Sequence, residues 1–199
     1  MAQIVFWLNT MALPTRFWTT SGVGESDFSE LDAIDQALIK SGIGYQNFIP
    51  VSSVPPAEEI FPKIDSKIGL THVFIDNHWE LLPISATIHT VRAINTGVKG
   101  DLLVSAISLA KVKLVSREKP IEFVLAYENI GNELDVTTEY ATKGVEKLVN
   151  ERHLIVDASW GESGYKTVIS SLEVKLEFGC SAVFVVFDPF TYKYKLVTS

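Results

Sequence analysis

The sequence predicts an α+β fold in one domain: a mostly antiparallel sheet, or pair of sheets, with helices packed outside. Three observations lead there. Strand-like runs rich in β-branched and aromatic residues outnumber helical patterns. Two such runs close the chain with only a short turn between them, which suggests antiparallel pairing. At 199 residues, with 47% apolar and 21% charged residues, the chain has the size and composition of one globular domain, residues 1–199, with a substantial core. No repeat and no linker interrupts it.

Taken in order, QIVFWL (3–8) carries the composition of a strand. TSGVGESDFS is rich in Ser and Gly and is expected to be a loop. SELDAIDQALIKSG is expected to be a helix from about Ser29, where Ser29 and Asp32 resemble a capping box. Leu31, Ile34 and Leu38 form its apolar stripe, and Gly42 and Gly44 end it. Asp35 shares the side of Leu31 and Leu38, so it lies either on the stripe's margin in solvent or against a pocket with apolar walls.

YQNFIPVS follows as a strand, with Pro50 marking an edge or a bend. SSVPPAEEIFPKI is irregular. THVFID (71–76) and ISATIHTVRAIN (84–95) are expected to be strands joined by a turn near Asn77-His78. DLLVSAISLAKVKLV (101–115) fits a helix by its small residues and a strand by its neighbours. EFVLAYEN (122–129) reads as a strand and DVTTEYATKGVEKLVNERH (135–153) as an amphipathic helix. KTVISSLEVKLEF and GCSAVFVVFDPF are expected to form a hairpin through Phe178-Gly179.

Several function classes lack support. The net charge of −7 leaves no basic surplus to meet phosphates, so no nucleic-acid partner is expected. Cys180 is the only cysteine, which excludes an intrachain disulfide or cysteine-based metal site and fits a reducing cytoplasm. MAQIVFWLNTMALPTRF has no basic leader region and no sustained apolar run, so neither a signal peptide nor a membrane span is expected. SGVGES lacks the third glycine and the lysine of a phosphate cradle. His72, His78, His89 and His153 show no metal-ligand spacing, and no G-x-S-x-G elbow is present.

The pair Ser52-Ser53 offers different chemistry. The Ser53 hydroxyl can attack the preceding carbonyl and turn the amide into an ester. Elimination then frees a Ser52 carboxylate and leaves dehydroalanine at position 53. Hydrolysis with loss of ammonia makes a pyruvoyl group, a covalently built electron sink. A held turn and a donor for the oxyanion are required. The dipeptide alone is unspecific, since Ser170-Ser171 repeats it.

FSELDAIDQALIKSGIGYQNFIPVSSVPPAEEI resembles the pyruvoyl-dependent arginine decarboxylases. It matches their pattern at Leu31, Asp35, Leu38, Gly42-Ile43-Gly44, Asn47 and Ser52-Ser53, and the likeness resumes at GDLLVSAISLAKV, VLAYEN and KLEFGCSAVFVVF. About two-thirds of the chain is covered.

The resemblance implies αββα-like layers, a two-sheet sandwich between outer helices. It implies self-cleavage between 52 and 53 and a pyruvoyl cofactor derived from Ser53. It further implies a reaction in which the α-amine of L-arginine condenses with the pyruvoyl carbonyl as a Schiff base, carbon dioxide leaves and agmatine departs. Asp35 would receive the guanidinium, Leu31 and Leu38 would flank the methylenes, Gly44 would belong to the same substrate region, and Asn47 would serve cleavage or catalysis. A homotrimer or dimer of trimers is implied, with sites between subunits. That suits the geometry: six extended residues span roughly 20 Å, so Asn47 reaches Ser53 only if the chain bends at Pro50 or a neighbouring subunit completes the site.

Three departures stand out. The family's Glu-Tyr-Glu pattern, whose first glutamate is the proton donor, reads Ala126-Tyr127-Glu128 here. Glu128 and Glu122 share the strand face of Ala126, and either can replace the missing acid if the strand is shifted. One residue, Val54, separates Ser-Ser from Pro-Pro where the family has two. The 71–100 region has no clear counterpart. Two other readings therefore stay open: a non-catalytic homologue that has lost the acid, and a pyruvoyl decarboxylase for another cationic amino acid, histidine or lysine.

Overall fold

The structure, a computed structural model, describes residues 10–115, 119–191 and 193–196. The strand expected at 3–8 lies outside them. In chain order the elements are β1 (Thr10–Leu13), β2 (Arg16–Ser26), α1 (Glu30–Lys40), β3 (Asn47–Pro50), β4 (Glu58–Glu59), β5 (Lys63–Asp65), β6 (Leu70–Ile75), β7 (His78–Leu81), β8 (Thr87–Val98), β9 (Leu102–Leu114), β10 (Ile121–Gly131), α2 (Leu134–Glu151), β11 (Ile155–Val156), β12 (Tyr165–Glu173), β13 (Phe178–Phe187) and β14 (Lys193–Leu196).

Two sheets stack face to face. One has the order β3-β8-β13-β2-β4; in the other, β9 is flanked by β10 on one side and by β12 and β11 on the other. Period-two alternation divides their side chains into three apolar layers. Phe17, Val91, Ala93, Ile107, Leu109, Val124, Ala126, Val183 and Val185 fill the space between the sheets. The opposite residues of β13, including Ala182, Phe184 and Val186, pack with Trp18 against Ala33 and Ala37 of α1. Ala110, Val112 and Leu125 pack against Val145 and Val149 of α2. Helix, sheet, sheet and helix therefore lie in that order, as the αββα expectation has it. Both sheets are chiefly antiparallel; the parallel pairs are β2 with β4 and β3 with β8. The region 101–115, open between helix and strand, is a strand.

The loop expected over TSGVGESDFS is instead most of β2. Its glycines are not turn residues. A Cβ on Gly22 would stand 2.2 Å from Ala37 O, and one on Gly24 1.9 Å from Ala33 O. They let α1 lie directly on the strand, which is why Gly occurs in a strand interior here. Gly24→Ala is expected to lower stability by about 3 kcal/mol, or roughly 6–12 °C in Tm, as a thermal melt would register. An unchanged melt would refute the close approach.

α1 begins where expected. Ser29 Oγ accepts the Asp32 N–H at 3.1 Å, but the Ser29 N–H goes to Ser26 Oγ at 3.4 Å, so only half of the capping box forms. At the other end Ile43 N–H bonds Leu38 O and Gly42 N–H bonds Ile39 O, with Gly42 at φ +76°. That pair of bonds is a Schellman cap. The apolar stripe needs correction: Ala33 and Ala37 are buried, Ile34 and Leu38 pack beside them, and Leu31 is 67% exposed.

Two connections also differ. The turn after 71–76 uses Asp76 and Asn77, both at positive φ, and leads into β7 rather than β8. β5, β6 and β7 form a small separate sheet against the C-terminal end of α1, where Thr71 Oγ1 donates to Gly42 O at 2.8 Å. The expected hairpin of β12 with β13 does not form. β12 pairs with β9, whereas β13 pairs with β2 and β8 in the other sheet. The crossing segment is held by Glu25, whose Oε1 accepts the N–H groups of Lys175 at 2.5 Å and Leu176 at 3.2 Å; the Lys175 bond is the main cause that holds this carboxyl below its ordinary range.

Candidate active site

Pro50 sits on an edge strand, where its missing N–H costs no ladder bond. The chain does not bend there. Asn47 to Pro50 run beside Thr87 to Thr90 of β8, and Val51 N–H continues the ladder to Thr90 O at 3.1 Å. Two residues later the chain joins the other sheet: Ala126 N–H of β10 bonds Ser53 O at 3.0 Å, and Val124 N–H bonds Pro55 O at 3.0 Å. Ser52-Ser53 thus bridges the edges of the two sheets. It is held on both sides by backbone bonds.

Between these anchors the backbone turns tightly. Val54 N–H donates to Ser52 O at 2.8 Å, closing a three-residue turn centred on Ser53. The oxygen that would carry charge in an attack on the Ser52 carbonyl therefore already has a donor. The next two residues are proline and have no backbone N–H to offer in its place.

Glu128 faces this turn. Val124 and Ala126 point between the sheets, and Glu128, two residues on, shares their face but lies past the end of the apolar layer. Its Oε2 accepts a hydrogen bond from Ser53 Oγ at 3.1 Å. Ala126 is fully buried. Glu122 lies toward the start of β10, paired with Lys113 at 3.2 Å. Of the two acids left open by the sequence, the structure brings Glu128 to the serine.

A groove of about 550 Å³ opens at this point, lined by Ser52, Ser53, Val54, Tyr127, Glu128, Leu148 and Arg152. α2 contributes the last part of that wall. Gly144 makes room for Tyr127: a Cβ there would stand 2.3 Å from the ring. The groove thus carries one negative and one positive side chain.

The other predicted residues lie elsewhere on the chain. Asn47 is exposed and donates from Nδ2 to Ser85 O at 3.0 Å. Asp35 and Leu31 are exposed on the outer side of α1, while Leu38 turns inward. Gly44 is half-buried, and a Cβ on it would meet Ile39 Cγ1 at 2.8 Å. None of these lines the Ser53 groove. Cys180 is buried in the layer under α1, where burial pushes its thiol up to about 12, so it is no nucleophile at neutral pH. Among the described residues no group of His, Cys, Asp and Glu could hold a metal ion, and no helix is long and apolar enough to cross a membrane.

The sequence model of the family described as pyruvoyl-dependent arginine decarboxylase matches residues 16–191, nearly the whole chain. The chain belongs to the pyruvoyl-dependent arginine decarboxylase family. A comparison with curated individual proteins finds no match. Membership in this decarboxylase family implies a pyruvoyl group, and the residues around Ser53 fit one: a hydroxyl beside a carboxylate, a donor on the Ser52 carbonyl oxygen, and an open groove.

Three contributors escaped the sequence reading. The Val54 donor is a backbone group; its only trace was that position 54 is not proline. Tyr127 was visible only as the middle of Ala-Tyr-Glu. Arg152 lies about 100 residues from Ser52 and carries no local signal.

Proposed function

We propose that this chain is a self-processing decarboxylase that converts L-arginine to agmatine and carbon dioxide, using a pyruvoyl group made from Ser53. The observation that carries the reading is the hydrogen bond from Ser53 Oγ to Glu128 Oε2 at 3.1 Å. Glu128 takes the hydroxyl proton as Ser53 Oγ attacks the Ser52 carbonyl carbon. Val54 N–H meets the negative charge growing on Ser52 O. The C–N bond breaks, its nitrogen takes the proton from Glu128, and an ester replaces the amide. Elimination and hydrolysis then cut the chain between 52 and 53 and release ammonia.

The pyruvoyl group supplies the electron sink for decarboxylation. Glu128 stands beside position 53, placed to return a proton to the substrate's Cα in place of the acid missing at Ala126. Asp35 accepts the guanidinium, with Leu31 along its apolar stem. Since Asp35, Leu31 and Asn47 do not line the Ser53 groove of their own chain, a neighbouring subunit supplies them, in a homotrimer or a pair of trimers. An exposed acid beside a 67% exposed leucine on α1 suits such an interface. A cytoplasmic setting accords with the single buried cysteine.

Asp35→Asn is expected to lower kcat/KM for arginine by roughly 30- to 1000-fold, from loss of a charge-assisted bidentate pair worth about 2–4 kcal/mol, and to leave chain cleavage intact. Steady-state agmatine formation and an electrophoretic gel read the two effects separately. Equal loss of both would remove the substrate role of Asp35, and faster turnover of lysine or histidine would change the substrate. Processed protein that releases no carbon dioxide from arginine would instead mark a non-catalytic homologue.

A further inference from the structure

We infer that Arg152 is the counter-ion for the carboxylate that cleavage creates on Ser52. The inference rests on the self-processing just proposed. Its starting point is the charge in the groove. Among the described residues Glu128 and Arg152 are the only charged side chains lining it, and both share it with Ser52 and Ser53. The Arg152 guanidinium is not engaged by any carboxylate within salt-bridge distance among the described residues, although Arg16, Lys111, Lys113, Lys143, Lys147 and Lys166 each are. Its backbone is held at the end of α2, where Arg152 N–H bonds Leu148 O at 3.2 Å, and Leu148 lines the same groove. A cation is thus delivered to the groove from the end of α2 and has no carboxylate partner among the described residues.

Elimination supplies one. A base removes the proton from Cα of residue 53, and the C–H electron pair becomes the Cα=Cβ bond. The Cβ–Oγ bond breaks, and its pair leaves on the Ser52 carboxylate. If Glu128 takes the proton, negative charge moves from Glu128 to Ser52 within one groove. Glu128 then gives that proton to Cβ as the enamine becomes an imine, water replaces the imine nitrogen, which leaves as ammonia, and Glu128 is ionised again while the Ser52 carboxylate remains. Two like charges would then share the site unless a cation stands between or beside them. Arg152 meets the charge as it develops on the leaving carboxylate and keeps the new chain end in place afterwards.

The same guanidinium could in principle bind the substrate's α-carboxylate. That use is disfavoured by the reaction. The α-carboxylate must lose its charge as carbon dioxide departs, so a cation held on it stabilises the ground state more than the transition state. The Ser52 carboxylate, by contrast, is permanent.

The test follows freshly made precursor of the full chain, its Arg152→Gln and its Arg152→Lys forms, by intact mass with and without neutral hydroxylamine. Hydroxylamine cuts an ester but not an amide, leaving a hydroxamate on residue 52 and serine at 53. Arg152→Gln is expected to process roughly 2- to 5-fold more slowly, the loss of an exposed charge interaction. It should accumulate uncut chain that hydroxylamine cleaves. Arg152→Lys should recover most of the rate, and the KM of processed Arg152→Gln for arginine should match that of the unaltered protein. A merely structural role would lower the melting temperature without building up ester. Processing of Arg152→Gln at the unaltered rate with no ester would overturn the inference. So would normal processing with a raised KM, which would make Arg152 the substrate carboxylate's partner. Failure of the unaltered chain to cut would instead sink the proposed function itself.

Discussion

Ser53→Ala is expected to leave the chain in one piece and without arginine decarboxylase activity. The substitution removes one oxygen, the only atom at position 53 that can attack the Ser52 carbonyl. Little else changes. Ser53 holds its place through its backbone, with its carbonyl on Ala126 N–H and the Val54 N–H bond across the turn. Both survive in alanine. The side chain is half-exposed, so the melting temperature should move by no more than the equivalent of about 0.5 kcal/mol. Denaturing electrophoresis over days reads the first effect, and agmatine formation from arginine reads the second. A variant that still cuts at this bond would mean that another group attacks, and Ser53 would lose its role.

Glu128→Gln carries the next largest effect. The amide oxygen of glutamine can still accept the Ser53 hydrogen bond, so the turn should keep its shape. What is lost is a group able to take the proton. Removal of a positioned base costs typically 10²–10⁴-fold, and self-cleavage should slow by about that much. Glu122→Gln is the natural comparison, because Glu122 shares the strand face but is paired with Lys113 at 3.2 Å. It should cut at the unaltered rate. If the two variants behaved alike, Glu128 would not be the base that takes the Ser53 proton. The experiment therefore decides whether Glu128 is the base that serves Ser53 in chain cleavage.

Local chemistry made much of the fold legible. Ser29 and Gly42 act on residues three or four positions away, so the limits of α1 followed from sequence. The errors arose where the deciding contact is distant. Gly22 and Gly24 look like turn residues until α1 is placed on them. Leu31 fits a helical stripe, but the surface that α1 covers is read by Ala33 and Ala37, whose small side chains permit the close approach. β12 and β13 are neighbours in sequence, and a short connection says nothing about whether two strands share a sheet. In this chain the segment between them passes from one sheet to the other.

The candidate site divides in the same way. Ser52-Ser53 and the acids of β10 were visible as residue types with chemical meaning. Choosing Glu128 over Glu122 required the register of β10 against the turn, which only the folded chain sets. Arg152 and the Val54 N–H were beyond reach, one because α2 brings it from far along the chain and the other because it is not a side chain. Asp35 and Asn47 show the converse: residues matched by family pattern that a single chain does not bring to Ser53.

The proposed function requires that the chain break itself at Ser52–Ser53 and convert residue 53. Intact mass of the purified protein under denaturing conditions tests it most directly. Two species are expected, residues 1–52 ending in a free carboxylate, and residues 53–199 beginning with a pyruvoyl group and lacking the amine of serine. A single species at the full 22.0 kDa, persisting through purification and incubation, would mean that the chain does not process itself.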